Sequence, residues 1–145
     1  MGLAIAESLK IDLEEFKRDI EVIFNWLSTE QDLSFEQKIF HVNSQRNITI
    51  SDCSMTVVPP QIHYLKNLQI FQLQFTQVFT IPSEIGILTQ LQRLSLDNNQ
   101  LVSIPVEIGY LFHLSKVDCR NNRLRFIPIE LGYCRNINTL NVASN

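Results

Sequence analysis

The chain has 145 residues, of which 45% are hydrophobic and 19% are charged, and its formal net charge is −3. This length fits one domain with a sizeable apolar core, and the mild acidity argues against a dedicated nucleic-acid binder, which would be strongly basic. No apolar run approaches the roughly 20 residues that a membrane-spanning helix needs. The first ten residues also lack the basic start and apolar middle of a secretory signal.

Residues 1–44 have the periodicity of helices. Apolar residues at steps of three and four predict an amphipathic helix that ends near Ser28, formed around Ala6, Leu9, Leu13, Phe16, Ile20, Ile23 and Leu27. This helix begins near residue 3 or, if Asp12 and Glu15 cap its start, near residue 12. A second, shorter helix is predicted to begin near Ser34, because Gln37 follows it three residues later.

From Gln45 onward, one pattern recurs every 23 residues (114 − 91) without a gap. The pattern reads LxxLxLxxNxLxxIPxxIGxL, and its 23 positions are called slots below, with slot one at Leu91 in the third copy. It divides residues 45–145 into copies at 45–67, 68–90, 91–113 and 114–136, with a partial copy at 137–145. A period of this length is typical of solenoid proteins. We therefore expect two segments, a helical one over 1–44 and repeats over 45–145.

This motif resembles the leucine-rich repeat family, and its IPxxIG half resembles the cytoplasmic Ras-group type found in Ras-signalling scaffolds. The resemblance covers 45–145, about two thirds of the chain. It implies an α/β solenoid whose short parallel strands line a concave face, and a function in protein–protein recognition. The first copy departs from the motif at Gln45, Cys53 and His63, as expected of an edge repeat.

Elementary geometry leads to the same repeat architecture. In each LxxLxL segment the side chains alternate, so that Leu94 and Leu96 face the core and Ser95 faces the opposite side. One repeat cannot bury its apolar side alone, so neighbouring repeats must stack. Proline at slot fifteen ends regular strand pairing. Glycine at slot nineteen (Gly86, Gly109 and Gly132) suits a tight bend or a left-handed backbone.

Slot nine is predicted to belong to the scaffold. In the family that the motif resembles, its side chain turns inward and satisfies backbone groups, for which asparagine offers one acceptor and two donors. Asn99 therefore faces inward while Asn98 faces outward. The predicted inward ladder consists of Cys53, Thr76, Asn99, Asn122 and Asn145. The other two cysteines, Cys119 and Cys134, also fall at core slots, and buried thiols are usually inert.

At both ends of the array, apolar residues of the terminal repeat need to be covered, and the sequence leaves two alternatives for each end. The helical segment covers the apolar end of the first repeat as a cap, or its long stripe binds another chain, such as a second copy. At the other end, Leu140 and Val142 would face an open side, which favours either a longer natural chain or a covering partner. The fold expected from these features is a leucine-rich repeat solenoid with an N-terminal helical cap.

The candidate site is the outward face of the strands, at slots three, five, seven and eight. Ile70 and Phe75 are apolar where polar residues are expected, and a basic stripe has two aspartates interleaved. The alternative is that Phe75 folds over the edge and the charges are simply solvated. The predicted partner-binding residues are Ile70, Gln72, Phe75, Arg93, Ser95, Asp97, Asn98, Lys116, Asp118 and Arg120.

Nothing in the sequence indicates catalysis. It has no P-loop, GxGxxG, GxSxG or HExxH motif, and no cysteine or histidine pair has metal-site spacing. We therefore expect a non-catalytic module without cofactor or metal, binding a protein rather than nucleic acid or a membrane. The odd cysteine count without a secretion signal favours the cytoplasm. The alternatives are a homo-oligomer assembled through the helix and the C-terminal end, and the recognition segment of a larger signalling protein or enzyme.

Overall fold

The computed structural model describes residues 13–27 and 33–145. Within these ranges two helices precede a parallel sheet whose strands follow one another in chain order. The helices are α1 (Leu13–Leu27) and α2 (Phe35–Ser44), and the strands are β1 (Asn47–Ser51), β2 (Ile70–Gln74), β3 (Arg93–Ser95), β4 (Lys116–Asp118) and β5 (Thr139–Asn141). Neither helix is long and apolar enough to span a bilayer.

The sheet register follows the sequence repeat. Leu94 of β3 lies opposite Phe71 of β2 and Val117 of β4, so each step across the sheet is one step of the repeat. One apolar core runs through the stacked repeats and includes the leucine slots, among them Leu68, Leu91 and Leu114. The predicted α/β leucine-rich repeat solenoid is confirmed.

A one-turn 3-10 helix, here called a 3-10 turn, returns the chain between consecutive strands. Each turn directly follows the repeat's slot-fifteen proline, whose φ lies between −69° and −62°. Proline suits this place because its φ is fixed and its missing N–H would be unpaired there. The four turns are Pro60–Tyr64, Ser83–Ile87, Val106–Tyr110 and Ile129–Tyr133.

Of the two backbone roles predicted for the slot-nineteen glycines, the structure has the tight bend, because each glycine lies within a 3-10 turn. No glycine among the described residues has a positive φ, so the left-handed alternative is wrong. A Cβ on Gly86 would lie 2.7 Å from the carbonyl oxygen of Glu107, and one on Gly109 would lie 2.8 Å from that of Glu130. Glycine is therefore needed because the backbone of the next 3-10 turn packs directly against it.

The described part of α1 covers the open end of the first repeat. Ile20, Ile23 and Phe24 are buried, and the last two belong to the same core as the repeats. Trp26 donates from Nε1 to the Met55 sulfur at 2.9 Å and lies edge-on to Phe71, a residue of β2. The helical cap is confirmed for these residues. Ala6, Leu9 and the proposed start at Asp12 lie outside the described residues.

Polar contacts fix the cap on the first 3-10 turn. The Asp19 carboxylate of α1 accepts hydrogen bonds from Gln61 Nε2 at 3.0 Å and from the Tyr64 hydroxyl at 3.1 Å. Burial, reinforced by Asp19, raises the pKa of Tyr64 to about 12, so the hydroxyl remains protonated and donates. The second helix begins as predicted, with a reciprocal capping box between Ser34 and Gln37.

Removing the apolar contact of the cap should destabilise the whole array. Phe24→Ala is expected to lower the free energy of unfolding by about 3–5 kcal/mol, because it leaves a cavity between α1 and the repeats. Val22→Ala on the exposed side of the same helix is the matched control and should change it by less than about 0.5 kcal/mol. Urea unfolding followed by circular dichroism measures both. Equal stability of the two variants would contradict the cap.

Candidate functional site

The slot-nine asparagines tie each repeat to the one before it. The buried Asn99 amide donates to the carbonyls of Leu73 in the preceding repeat, at 2.8 Å, and of Leu96 in its own repeat, at 3.1 Å. Its oxygen accepts from the Thr76 hydroxyl and from the N–H of Val78. Asn99 is therefore part of the scaffold, as predicted.

The same arrangement recurs at the next two slot-nine positions. Asn122 donates to the carbonyl of Leu96 in the preceding repeat at 2.9 Å and accepts from the N–H of Leu101 at 3.0 Å. Asn145 donates to the carbonyl of Cys119 at 3.0 Å and accepts from the N–H of Leu124 at 3.1 Å. Each amide satisfies backbone groups on both of the repeats that it joins.

Cys53 is an exception, and its predicted core position is wrong because the residue is exposed. The first repeat has no preceding strand whose carbonyl a slot-nine side chain could reach, so nothing draws the thiol inward. Cys119 and Cys134 are buried as predicted. Burial raises the pKa of both thiols, that of Cys119 to about 12 with help from Asp118 and Asp97, so both remain protonated.

Slot eight has a left-handed backbone in every repeat, with φ between 51° and 59° at Asp52, Phe75, Asn98, Asn121 and Ser144. In this conformation the N–H of slot eight donates to the slot-seven carbonyl of the next repeat, as Asn98 does to Arg120 at 3.1 Å. The backbone bends there, and slot eight points out while slot nine points in. The left-handed backbone was not predicted from the sequence, although aspartate and asparagine at slot eight indicate it, because both tolerate left-handed backbone.

The ten predicted partner-binding residues lie on β2, β3, β4 and the loops directly after them. The register brings them together, with Ile70, Arg93 and Lys116 in one row and Gln72, Ser95 and Asp118 in the next. They differ in exposure. Phe75, Arg93 and Arg120 are exposed, Ile70, Gln72, Asn98 and Lys116 are half-buried, and Ser95, Asp97 and Asp118 are buried.

The two aspartates interleaved with the basic stripe are buried, unlike Arg93 and Arg120. Asp97 is only 2% exposed, because its carboxylate accepts from Gln74 Nε2 at 2.7 Å and from Asn98 Nδ2 at 2.8 Å. Asp118 is buried beside Arg120, whose N–H donates to it at 3.3 Å and whose Nε lies 3.5 Å from it. With Ser95, these aspartates offer little surface to a partner and act instead as supports for the residues around them.

Phe75 combines exposure with an unfavourable backbone. Its side chain is 57% exposed, and its φ of 51° lies in the left-handed region. A residue other than glycine in this region costs about 1–3 kcal/mol, with asparagine and aspartate the best tolerated. The neighbouring repeats hold Phe75 there, since its N–H donates to the carbonyl of Asp97. Because the ring is exposed, core packing does not explain why phenylalanine stands at this position.

Substituting Asn98 and Asn99 one at a time should distinguish the inward structural residue from the outward surface residue. Asn99→Ala is expected to lower the free energy of unfolding by about 1–3 kcal/mol, because buried carbonyls lose their donor. Asn98→Gly keeps the left-handed backbone and should change it by less than about 1 kcal/mol. Urea denaturation compares the two. If both variants unfolded at the same urea concentration, the inward role of Asn99 would be wrong.

One family profile and two solved structures are similar to this chain. A sequence profile of the Leucine Rich Repeat family matches residues 90–111. The fold is similar to a leucine-rich repeat protein of Leptospira interrogans, with a TM-score of 0.54 and 30% identity over 77% of this chain and 34% of that one. It is also similar to an internalin (inlF) of Listeria monocytogenes, with a TM-score of 0.58 and 15% identity over 86% of this chain and 41% of that one.

A search of curated proteins found no matching sequence. The chain spans 34% and 41% of the two solved structures, which is well under two thirds of either. The Ras-group subtype stays a prediction. The repeat register, the profile match over residues 90–111 and the similar folds confirm that the recurring motif is a leucine-rich repeat.

Proposed function

We propose that the chain is a protein-recognition module whose concave face binds an acidic segment of a partner, with Phe75 as the apolar anchor. Leucine-rich repeat proteins generally mediate protein–protein interaction. The observation that carries the proposal is the exposed aromatic ring of Phe75 at a left-handed position, where the third and fourth repeats have asparagine. Backbone strain of this kind is concentrated at functional sites, and aromatic residues are enriched among interface anchors.

The charge of the face supports an acidic partner. Arg93 and Arg120 are exposed and Lys116 is half-buried, whereas Asp97 and Asp118 are buried beneath them. The three cations therefore outnumber the one exposed carboxylate at these slots in repeats one to four, that of Asp52 at slot eight of the first repeat. Guanidinium groups bind carboxylate or phosphate in two-pronged geometry, and complementary charge speeds association and selects partners. An acidic peptide with one large apolar side chain fits both features of the face.

The packing of α1 favours recognition over self-assembly through the cap. A homo-oligomer built on the apolar stripe of α1 would need that stripe free, but Ile20, Ile23 and Phe24 are buried, the last two in the core of the repeats. We propose that the chain acts by binding and not by catalysis, in keeping with its family. The proposal applies equally if the chain is the recognition segment of a larger protein. The cytoplasmic location stays a prediction.

Phe75→Asn separates a binding role from a structural one. The substitution gives slot eight the residue found in the third and fourth repeats, so the variant should be as stable as the parent or more stable by about 1 kcal/mol. Peptides selected on the parent chain from a displayed random library should be acidic. By calorimetry they should bind Phe75→Asn at least about tenfold more weakly, as expected when an anchor is lost.

The matched control is Phe79→Asn, an exposed phenylalanine that lies outside the concave slots. It should leave the affinity for the selected peptides within about twofold of the parent value, since surface residues away from the contact contribute little. Raising the salt concentration should weaken binding, because the exposed cations are screened. Equal affinity of Phe75→Asn and parent for every selected peptide would contradict the proposal.

A further inference from the structure

The 3-10 turns carry a row of large side chains at slot twenty. This slot holds Tyr64, Ile87, Tyr110 and Tyr133 in the four full copies of the motif. Tyr64 is half-buried, whereas Ile87 is 48% exposed and the other two tyrosines are each 61% exposed. The row lies on the return turns and not on the strands, so it is separate from the concave face. Contiguous exposed apolar groups are typical of interaction surfaces.

A groove of about 580 Å³ lies where the third and fourth repeats meet. It is lined by Tyr110 and Phe112 of the third repeat and by Tyr133, Arg135 and Asn136 of the fourth. The ring of Phe112 is 57% exposed. The side chain of Asn136 donates from Nδ2 to the carbonyl of Phe112 at 2.7 Å and so ties the two walls together. The groove, called the lateral groove below, is therefore formed in the unbound chain, which lowers the cost of binding.

The lateral groove offers polar groups that the fold does not use. The hydroxyls of Tyr110 and Tyr133 and the guanidinium of Arg135 make no hydrogen bond or ion pair with any residue that the structure describes. Glu107 and Glu130 of the same turns are half-buried and do not line the groove. One cation and two hydroxyl donors thus lie beside exposed aromatic rings, and both kinds of donor bind carboxylates.

The first repeat shows how a tyrosine at slot twenty is covered. The hydroxyl of Tyr64 donates to the Asp19 carboxylate of α1 at 3.1 Å, and its ring lies edge-on to that of Phe16, with the ring centres 5.6 Å apart. Phe16 and Asp19 are three residues apart on α1 and therefore share one face of the helix. The group that contacts this tyrosine is thus an aromatic ring and a carboxylate, presented together by a helix.

We propose that the lateral groove binds a helical segment of a partner protein that carries an aromatic residue and, three positions later, an acidic residue. The aromatic ring would pack against Tyr110 and Phe112, and the carboxylate would accept from the Tyr133 hydroxyl and pair with Arg135. Amphipathic helices commonly bind in apolar grooves in this way. The site is a second interaction surface and does not depend on the concave-face proposal.

The described helices of a second copy offer no free pair of this kind. Phe16 and Asp19 already contact Tyr64. On α2, the residues three positions after Phe35 and Phe40 are a lysine and an asparagine, so neither ring is followed by a carboxylate. The chemistry of the groove therefore favours a different protein over a copy of this chain.

Selection of helical peptides tests the proposal. A displayed library of helical peptides, randomised on one face, is selected on the Phe75→Asn variant, which lacks the anchor proposed for the concave face. The selected peptides should carry an aromatic residue followed three positions later by aspartate or glutamate. Because the bait lacks Phe75, the result does not depend on whether the concave face binds a partner.

Substitutions in the lateral groove should then weaken binding of the selected peptides, measured by calorimetry on the same bait. Phe112→Ala should lower the affinity at least about tenfold, because the apolar contact is lost. Tyr133→Phe removes only a hydroxyl and should lower it about two- to tenfold, as expected for one hydrogen bond. Both side chains are exposed, so the midpoint of urea unfolding should remain nearly unchanged.

The matched control is Phe126→Ala, since Phe126 is 60% exposed and does not line the lateral groove. It should leave the affinity within about twofold of that of the bait. The proposal would be overturned by an empty selection, by selected peptides without the aromatic and acidic pair, or by equal losses in Phe112→Ala and Phe126→Ala. It would also be overturned if light scattering showed the parent chain to be a dimer that Phe112→Arg dissociates, because a second copy would then occupy the groove.

Discussion

The side-chain amide at slot nine, buried at Asn99 and Asn122, is the interaction on which the rest of this molecule depends. Asn99, Asn122 and Asn145 each bond to a carbonyl of the preceding repeat and to backbone groups of their own loop. A loop cannot leave a sheet and cross an apolar core with unpaired backbone groups, since each costs about 1–3 kcal/mol. Because one side chain must turn inward at slot nine, the residue before it must turn outward. Scaffold and candidate site are thus adjacent in the sequence.

The same constraint explains the concave face. The left-handed backbone at slot eight lets the chain reverse while its N–H stays bonded to the next repeat. Asparagine or aspartate meets this demand at little cost, and Phe75 does not. Among the ten predicted residues, the accessible features include the aromatic ring of Phe75 and three cations, whereas Asp97 and Asp118 are buried. The two ends of the array differ as well, since α1 covers the first repeat and the edge of β5 is exposed.

Much of this architecture could be predicted from the sequence, because the 23-residue register assigns every side chain to the core or the surface. The register assigned Asn99 to the inside and Asn98 to the surface. The spacing of Ser34 and Gln37 predicted the start of α2. Three features could not be predicted from it. Cys53 is exposed because a first repeat lacks a preceding strand, and this is an end effect that a periodic motif does not encode. Gly86 and Gly109 are needed because the backbone of the next 3-10 turn packs against them, a contact between repeats that the motif does not show. Asp97 is drawn in by Gln74, a side chain of the neighbouring repeat.

Hydrogen exchange at the backbone N–H of Leu101 tests the central claim most directly. This group lies in the loop between β3 and the following 3-10 turn, and it donates to the side chain of Asn122. The N–H of Leu96, which donates to the carbonyl of Asp118, serves as the internal reference. If the slot-nine amides hold the repeats together, the N–H of Leu101 should exchange as slowly as that of Leu96, and exchange of both should require unfolding of the array. Exchange of the Leu101 N–H at the rate of an unstructured peptide would contradict the account.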